Sequence, residues 1–223
     1  ALSKATELRE LNVASLNPVS GSLSVFFRAA GDVFGKLKSL NISAQALDPD
    51  SLDVVCDAIK SDNSRLRALE LGYRDSKFIN AILAVTPNLE KLSLASSANE
   101  GDTVPITDFS ELAKLTKLVD LDISYSQISD DAMVEFATKV MPNLLALEKL
   151  DVSGSPITKR GAKALVESLK HAASTLRMLD MSFCNLGDAM GAAVVAACAQ
   201  FPEMRHLELG SNNVGALTCE QIA

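Results

Sequence analysis

Leu118-Val119-Asp120-Leu121-Asp122-Ile123-Ser124-Tyr125-Ser126 sets a cadence that the chain repeats three more times. It returns as Leu147-Glu148-Lys149-Leu150-Asp151-Val152, as Leu176-Arg177-Met178-Leu179-Asp180-Met181, and as Met204-Arg205-His206-Leu207-Glu208-Leu209. Apolar residues hold the first, fourth and sixth places each time. Upstream, the same triplet stands at Leu8/Leu11/Val13, Leu37/Leu40/Ile42, Leu66/Leu69/Leu71 and Leu89/Leu92/Leu94. The eight starts are separated by 29, 29, 23, 29, 29, 29 and 28 residues. Alternation around the fourth and sixth places is the pattern of a strand with those residues inward and their neighbours outward. The sequence therefore predicts eight short strands.

A segment of 23–29 residues between parallel strands has to bring the chain back, and a second set of apolar positions shows how. Ile128, Ile157 and Leu186 align from repeat to repeat, as do Phe136, Leu165 and Val194, and then Val140, Leu169 and Cys198. Spacing within a repeat, such as Met133, Phe136 and Val140, is helical. Helix starts are marked by Asp48 before Pro49, by Ser129 before Asp130 and Asp131, and by Thr158. Pro87, Pro142 and Pro202 each fall just ahead of the next strand, where proline ends a helix without removing a ladder donor. The return from Leu66 has room for a short helix between Lys77 and Val85. The one from Leu89 has a polar loop, Ser96 to Asp102, and a helix cut to Asp108–Leu115. A loop from Asn17 to Ser22 precedes a helix containing Val25, Phe26 and Phe27.

The L-x-x-L-x-L-x-x-(N/C) wording with a long helical return resembles the ribonuclease-inhibitor-like class of leucine-rich repeats, over the whole chain. The ninth place reads Leu16, Gln45, Arg74, Ser97, Ser126, Ser155, Cys184 and Asn212, so only the last two match the pattern outright. The resemblance implies an α/β solenoid shaped as a horseshoe, with eight parallel strands on the concave face and helices on the convex face. It also implies protein binding on the concave face, in roles that include inhibitors, adaptors of ubiquitin ligases and activators of small GTPases. Residues 1–223 read as a single array of about eight repeats. Neither end carries a polar capping repeat, so the array is expected to continue at both.

Bulk composition narrows the function. The 223 residues have a net charge of −7, which argues against a nucleic-acid partner and suits a basic protein surface. Four cysteines without C-x-x-C pairing read as reduced, buried thiols in an intracellular, cytoplasmic protein. The longest apolar run, Ala192 to Ala199, is too short for a membrane span. His171 and His206 are the only histidines, and one Cys with one His is too few for a zinc site. There is no P-loop, G-x-S-x-G or dinucleotide fingerprint. No catalytic, cofactor or metal residue is assigned, and no enzyme activity is expected.

Two outward rows are the candidate binding surface. The residue between the two inner positions reads Asn12, Asn41, Glu70, Ser93, Asp122, Asp151, Asp180 and Glu208, with no basic residue. Carboxylates one strand apart, about 4.8 Å, repel by roughly 1 kcal/mol even in water. A partner bringing Lys or Arg would relieve this. The alternative is that Lys149, Arg177 and Arg205 on the same strands already neutralise it. Three places further on, the row reads Ser15, Ala44, Tyr73, Ser96, Tyr125, Gly154, Phe183 and Ser211. Its aromatics are either interface anchors or a cover for the sheet edge. The protein-binding set expected from both rows is Glu70, Tyr73, Asp122, Tyr125, Asp151, Asp180, Phe183 and Glu208. A role as a structural subunit of a large assembly, through helices and open ends, is the main alternative. Arg74 is the formal candidate if the chain activates a GTPase.

Overall fold

A computed structural model describes residues 5, 7–14, 22–43, 49–60, 65–72, 76–95, 106–155 and 157–222. Three-residue strands carry the cadence: β1 (Glu10–Asn12), β2 (Ser39–Asn41), β3 (Ala68–Glu70), β4 (Lys91–Ser93), β5 (Asp120–Asp122), β6 (Lys149–Asp151), β7 (Met178–Asp180) and β8 (His206–Glu208). They form one parallel sheet in chain order, and each strand starts two residues after the residue that opens its repeat. Leu11, Leu40, Leu69, Leu92, Leu121, Leu150, Leu179 and Leu207 oppose one another in register across the sheet. A one-residue slip would turn every one of them to solvent, so this leucine layer fixes the register.

The returns are α1 (Ser22–Ala30), α2 (Pro49–Ile59), α3 (Ser76–Ala84), α4 (Asp130–Glu135), α5 (Lys159–Ser168), α6 (Gly187–Cys198) and α7 (Ala216–Ile222). Helices pack 8–10 Å apart and strands about 4.8 Å, so the sheet takes the inner, concave circumference. Between them lies one continuous apolar core. Ile128, Phe136, Val140, Ile157, Leu165, Leu169, Leu186, Val194 and Cys198, the residues aligned by the helical spacing, are all buried in it. Phe26, Phe27 and Phe34 close the core in the first repeat, with Phe27 and Phe34 stacked at 4.7 Å between centroids.

Two returns differ from the sequence reading. The helix expected over Asp108–Leu115 is only a 3-10 turn, Leu112–Lys114. Asp108 takes the Ser110 N–H onto its own carboxylate at 2.9 Å, a local bond that competes with helix initiation. Leu115 then leaves at ψ 61° to feed β5, while Phe109, Leu112 and Leu115 still reach the core. After β5, α4 widens into a π turn, Phe136–Val140, and tightens into a 3-10 turn, Met141–Asn143, that holds Pro142. The widening lets Phe136, Val140 and Met141 all face inward. Asp48 lies outside the described residues. Ser129 and Thr158 cap as expected, accepting from the N–H of Ala132 and of Arg160.

A second kind of cap runs between repeats. Asp130, at the start of α4, accepts the N–H of Thr158 at 2.8 Å and its hydroxyl as well. Asp188, near the start of α6, accepts from the N–H groups of Gly215, Leu217 and Thr218 at 2.8, 3.1 and 2.9 Å, and from the Thr218 hydroxyl at 2.8 Å. Led by the Thr218 N–H, these donors hold the Asp188 carboxyl down to about 2. Each acid satisfies the open donors at the next helix start and favours its positive end, so it ties one repeat to the next.

Candidate protein-binding face

The strand register places Asn12, Asn41, Glu70, Ser93, Asp122, Asp151, Asp180 and Glu208 in a single row, each beside the next. Most members have a local task that sequence reasoning missed. Asp122, Asp151 and Asp180 each accept, on Oδ1, the N–H two residues on, at 3.0, 2.8 and 2.8 Å. Asn12 and Asn41 do the same for Ala14 and Ser43 at 2.9 Å. The chain leaves the sheet here, and an Asx turn gives the exit N–H its partner. The clue in the sequence was the short side chain, Asp or Asn, at the last strand position followed two places on by Ser or Ala. Glu70 and Glu208 are a methylene longer and stay exposed; Glu70 instead accepts from the Asn41 amide.

The remaining carboxylate oxygens face the open side of the sheet. Asp122 also accepts the Ser93 hydroxyl at 3.0 Å. Asp151, between two acids, has its carboxyl raised above the ordinary value, first by burial and further by the charges of Asp122 and Asp180, against the Ser153 hydrogen bonds. The nearby cations do not neutralise the row. Lys149 reaches Asp120 at 3.7 Å, Arg177 reaches Glu148 at 3.2 Å and Glu203 at 3.7 Å, and Arg205 reaches Glu203 at 3.3 Å. Among the described residues no Lys, Arg or His comes within 4.0 Å of the carboxylates of Asp122, Asp151, Asp180 or Glu208. At Ser93 the row dips into an open hollow of about 410 Å³ between Glu70 and Asp122, with Lys91 and Asp120 on its rim.

The aromatic row lies at the strand-exit turn and not on the sheet. Tyr125, Gly154, Phe183 and Ser211 have left-handed backbones, with φ of 54°, 66°, 56° and 55°. Each of the first three donates its N–H to the next repeat, to Ser153, Ser182 and Gly210. The Tyr125 ring lies on the Cα of Gly154, where any added Cβ would fall 2.3 Å from Cδ1. Tyr125 is therefore half covered by the next repeat, whereas Phe183 is 56% exposed. Tyr73 and Arg74 lie outside the described residues.

The ninth position is buried wherever it is described. The Ser126 hydroxyl donates to the Leu94 carbonyl at 3.1 Å and the Cys184 thiol to Val152 at 3.4 Å. Asn212 does most: its Oδ1 takes the N–H of Cys184 and Leu186, and its Nδ2 donates to the Met181 and Leu209 carbonyls. The Ser155 hydroxyl is buried without a hydrogen-bond partner among the described residues. Burial pushes the Cys184 thiol up to about 12 and the Cys198 thiol to about 11, so neither is a thiolate nucleophile near neutral pH. Cys56 is half-buried and Cys219 exposed, unlike the buried set the composition suggested. No group of three metal-ligating side chains forms among the described residues. None of their helices is long and apolar enough to cross a membrane.

Parallel three-residue strands, a buried turn residue and a return of helical or 3-10 turns, stacked with one leucine layer, define a leucine-rich-repeat solenoid. A family model described as leucine-rich repeat matches residues 114–137, 146–166 and 172–190, in keeping with that fold. Mouse NACHT, LRR and PYD domains-containing protein 12 is 22% identical over 213 residues, covering 90% of this chain and 20% of the relative. Human NACHT, LRR and PYD domains-containing protein 5 is 25% identical over 186 residues, covering 80% of this chain and 15% of the relative. The chain thus spans a fifth or less of these relatives' length. Among solved structures, the leucine-rich repeat-containing protein LegL7 from Legionella pneumophila superposes with a TM-score of 0.57 at 16% identity, over 99% of this chain and 71% of that one. An internalin from Listeria monocytogenes gives 0.50 at 18% identity, over 100% and 66%. Those two likenesses concern the fold.

Proposed function

We propose that the chain binds a protein partner with a basic surface on its concave face, through Glu70, Asp122, Asp151, Asp180 and Glu208, with Tyr125 and Phe183 at the strand-exit rim. One observation carries the reading: Lys149, Arg177 and Arg205 pair with other acids, and among the described residues no cation lies within 4.0 Å of the carboxylates of Asp122, Asp151, Asp180 or Glu208. A Lys- or Arg-bearing segment laid across the strands would meet carboxylates about every 4.8 Å. Exposed Phe183 would give it an apolar anchor. Repeats of 28–29 residues with helical returns support placing the array in the ribonuclease-inhibitor-like class, as one binding part of a longer intracellular, cytoplasmic protein. The reading is of a binding module and not an enzyme. The assembly-subunit alternative would use the convex helices and the open ends, and exposed apolar residues on the helices would favour it. Among the described residues, the large exposed apolar side chains on helices are Val25, Leu217 and Ile222, on the first and last helices. That leaves α4 to α6 as a solvated back.

The test uses Asp122→Asn, Asp151→Asn and Asp180→Asn together. Asparagine keeps the Oδ1 acceptor of the Asx turn and removes only the charge. Partners captured by the wild-type chain should associate with the triple variant about tenfold or more slowly at low salt, with a flatter salt dependence. Lys163→Ala on α5 should leave the kinetics unchanged. If the triple variant binds as wild type does, or the Lys163 variant loses binding, the concave-face reading fails.

A further inference from the structure

Two of the joints between successive helices carry an inter-repeat cap, and the joint between those two carries a cation. Asp130 of α4 accepts the N–H and the hydroxyl of Thr158, and Asp130 and Asp131 both pair with Arg160 of α5. Asp188 of α6 accepts from Gly215, Leu217 and Thr218 at the start of α7. Lys159 stands 29 places from each acid, midway between them. The joint of α5 with α6 therefore has an ammonium where its neighbours have the capping carboxylate, and a cation at a helix's positive end is repelled. The start of α6 supplies no cap of its own. Gly187 falls 29 places after Thr158, whose hydroxyl caps α5, and α6 has no side-chain cap.

Packing follows the same pattern. Gly161 lets α5 close on α4: a Cβ there would fall 2.6 Å from Asp130 Oδ1 and 3.3 Å from the Met133 Cβ. Gly191 lets α6 close on α7, with an added Cβ 2.7 Å from both Thr218 Oγ1 and Val214 Cγ1. Met190, 29 places after Gly161, brings a long side chain where Gly161 has none. Among the described residues no side-chain hydrogen bond or ion pair joins α5 to α6. The sheet, by contrast, runs unbroken across this joint. β6 and β7 are in register, and the N–H groups of Val152 and Gly154 donate to Asp180 and Ser182. We propose that the solenoid flexes here: α4 with α5 and α6 with α7 form two blocks that splay on the convex side, hinged on the sheet between β6 and β7. The missing acceptor, the added cation and the bulk of Met190 all loosen helix contacts and leave the strands alone. Asp151 and Asp180 stand on either side of the hinge line, so flexing alters the curvature between two carboxylates of the concave row.

Nitroxide labels read the motion on the full 223-residue chain, with Cys56 and Cys219, the two cysteines that are not buried, changed to serine. Thr138, Glu167 and Ala196 are exposed and 29 places apart, on the π turn after α4, on α5 and on α6. Labels attached through Glu167→Cys and Ala196→Cys straddle the loose joint, and those through Thr138→Cys and Glu167→Cys straddle the capped one. The first pair should give a distance distribution about twofold or more broader than the second. Lys159→Asp returns the acid that the flanking joints carry and should narrow the first pair to match the second. Lys159→Ala removes the cation but brings no acceptor, and should keep most of the breadth. Asp130→Lys should broaden the second pair instead. Thermal melts report whether each variant is folded. Equal widths for the two pairs in the otherwise unchanged chain overturn the hinge. So does a folded Lys159→Asp chain whose first pair stays as broad as before, and that outcome stands even if Asp130→Lys fails to fold.

Discussion

Aspartate serves two regions of this molecule with opposite results. On the concave face Asp122, Asp151 and Asp180 stand one strand apart, and each receives one backbone N–H at the strand exit. At the helix starts Asp188 collects three backbone N–H groups and a hydroxyl from the next repeat. The Asp151 carboxyl accordingly sits above its ordinary value and that of Asp188 falls to about 2. Burial first, and then the charges of its neighbours, raises Asp151, whereas the number of donors lowers Asp188. The helix-start acid holds repeats together, whereas the sheet acid is destabilised where it stands and has charge left for something else.

That comparison presumes one rigid layer beneath both regions, so the largest effect should come from breaking the layer. Leu150 is fully buried between Leu121 and Leu179 in the register. Leu150→Ala should cost about 2–5 kcal/mol in urea unfolding. A loss under about 1 kcal/mol would mean that the layer collapses around the gap and holds neither row in place. Next comes Asp188→Ala, which orphans the donors of Gly215, Leu217 and Thr218. The melting temperature should fall, and the Cys219 amide, bonded to Gly215 at 3.1 Å, should exchange faster as α7 frays. The sign with pH is set by a folded value depressed from 3.8 to about 2. The Asp188 contribution is complete above 3.8 and disappears as pH falls through about 2, so wild type and variant should converge there. A pH-independent gap would show that the methylene and not the charge is what matters.

The sequence made the sheet legible because one register error exposes every inner leucine, so periodicity and structure have to agree. All eight strands begin two residues after the predicted starts. Return segments were less legible: Leu112 and Leu115 reach the core from a 3-10 turn as well as from a helix, and only the competing Asp108 bond separates the two. Order within the acidic row was readable from spacing. The Asx turns were hidden because an outward Asp looks the same in a sequence whether its second job is a backbone bond or none. Tyr125 and Phe183, three places after the outward acids, were read as a row along the strands, but their left-handed backbones put them in the exit turn. Asp130 and Asp188 each stand four places after the ninth position, at Ser126 and Cys184. Seen one repeat apart from Thr158 and Thr218, that spacing is the signal for the inter-repeat cap.

The smallest expected effect carries the opposite sign and separates the two aspartate regions most sharply. Asp151→Asn keeps Oδ1 for the Ser153 N–H, so the turn is unchanged and only the charge is lost. A carboxyl raised in the folded state costs stability while it is ionised, and that cost vanishes as pH falls through its folded value. Asp151→Asn should therefore be more stable than wild type at neutral pH, and the two should converge below 3.8, where the carboxyl is protonated folded or unfolded. With half the group open to screening, the gain should stay under about 1 kcal/mol. Salt apportions the cause. The charges of Asp122 and Asp180 lie about 4.8 Å away and are weakened by added salt, but burial, the larger cause, is not. Most of the gain should survive in 1 M salt, where the screening length is about 3 Å. If Asp151→Asn is instead destabilising at neutral pH, the row is an ordinary set of turn residues, and a cationic partner has no strained charge to relieve.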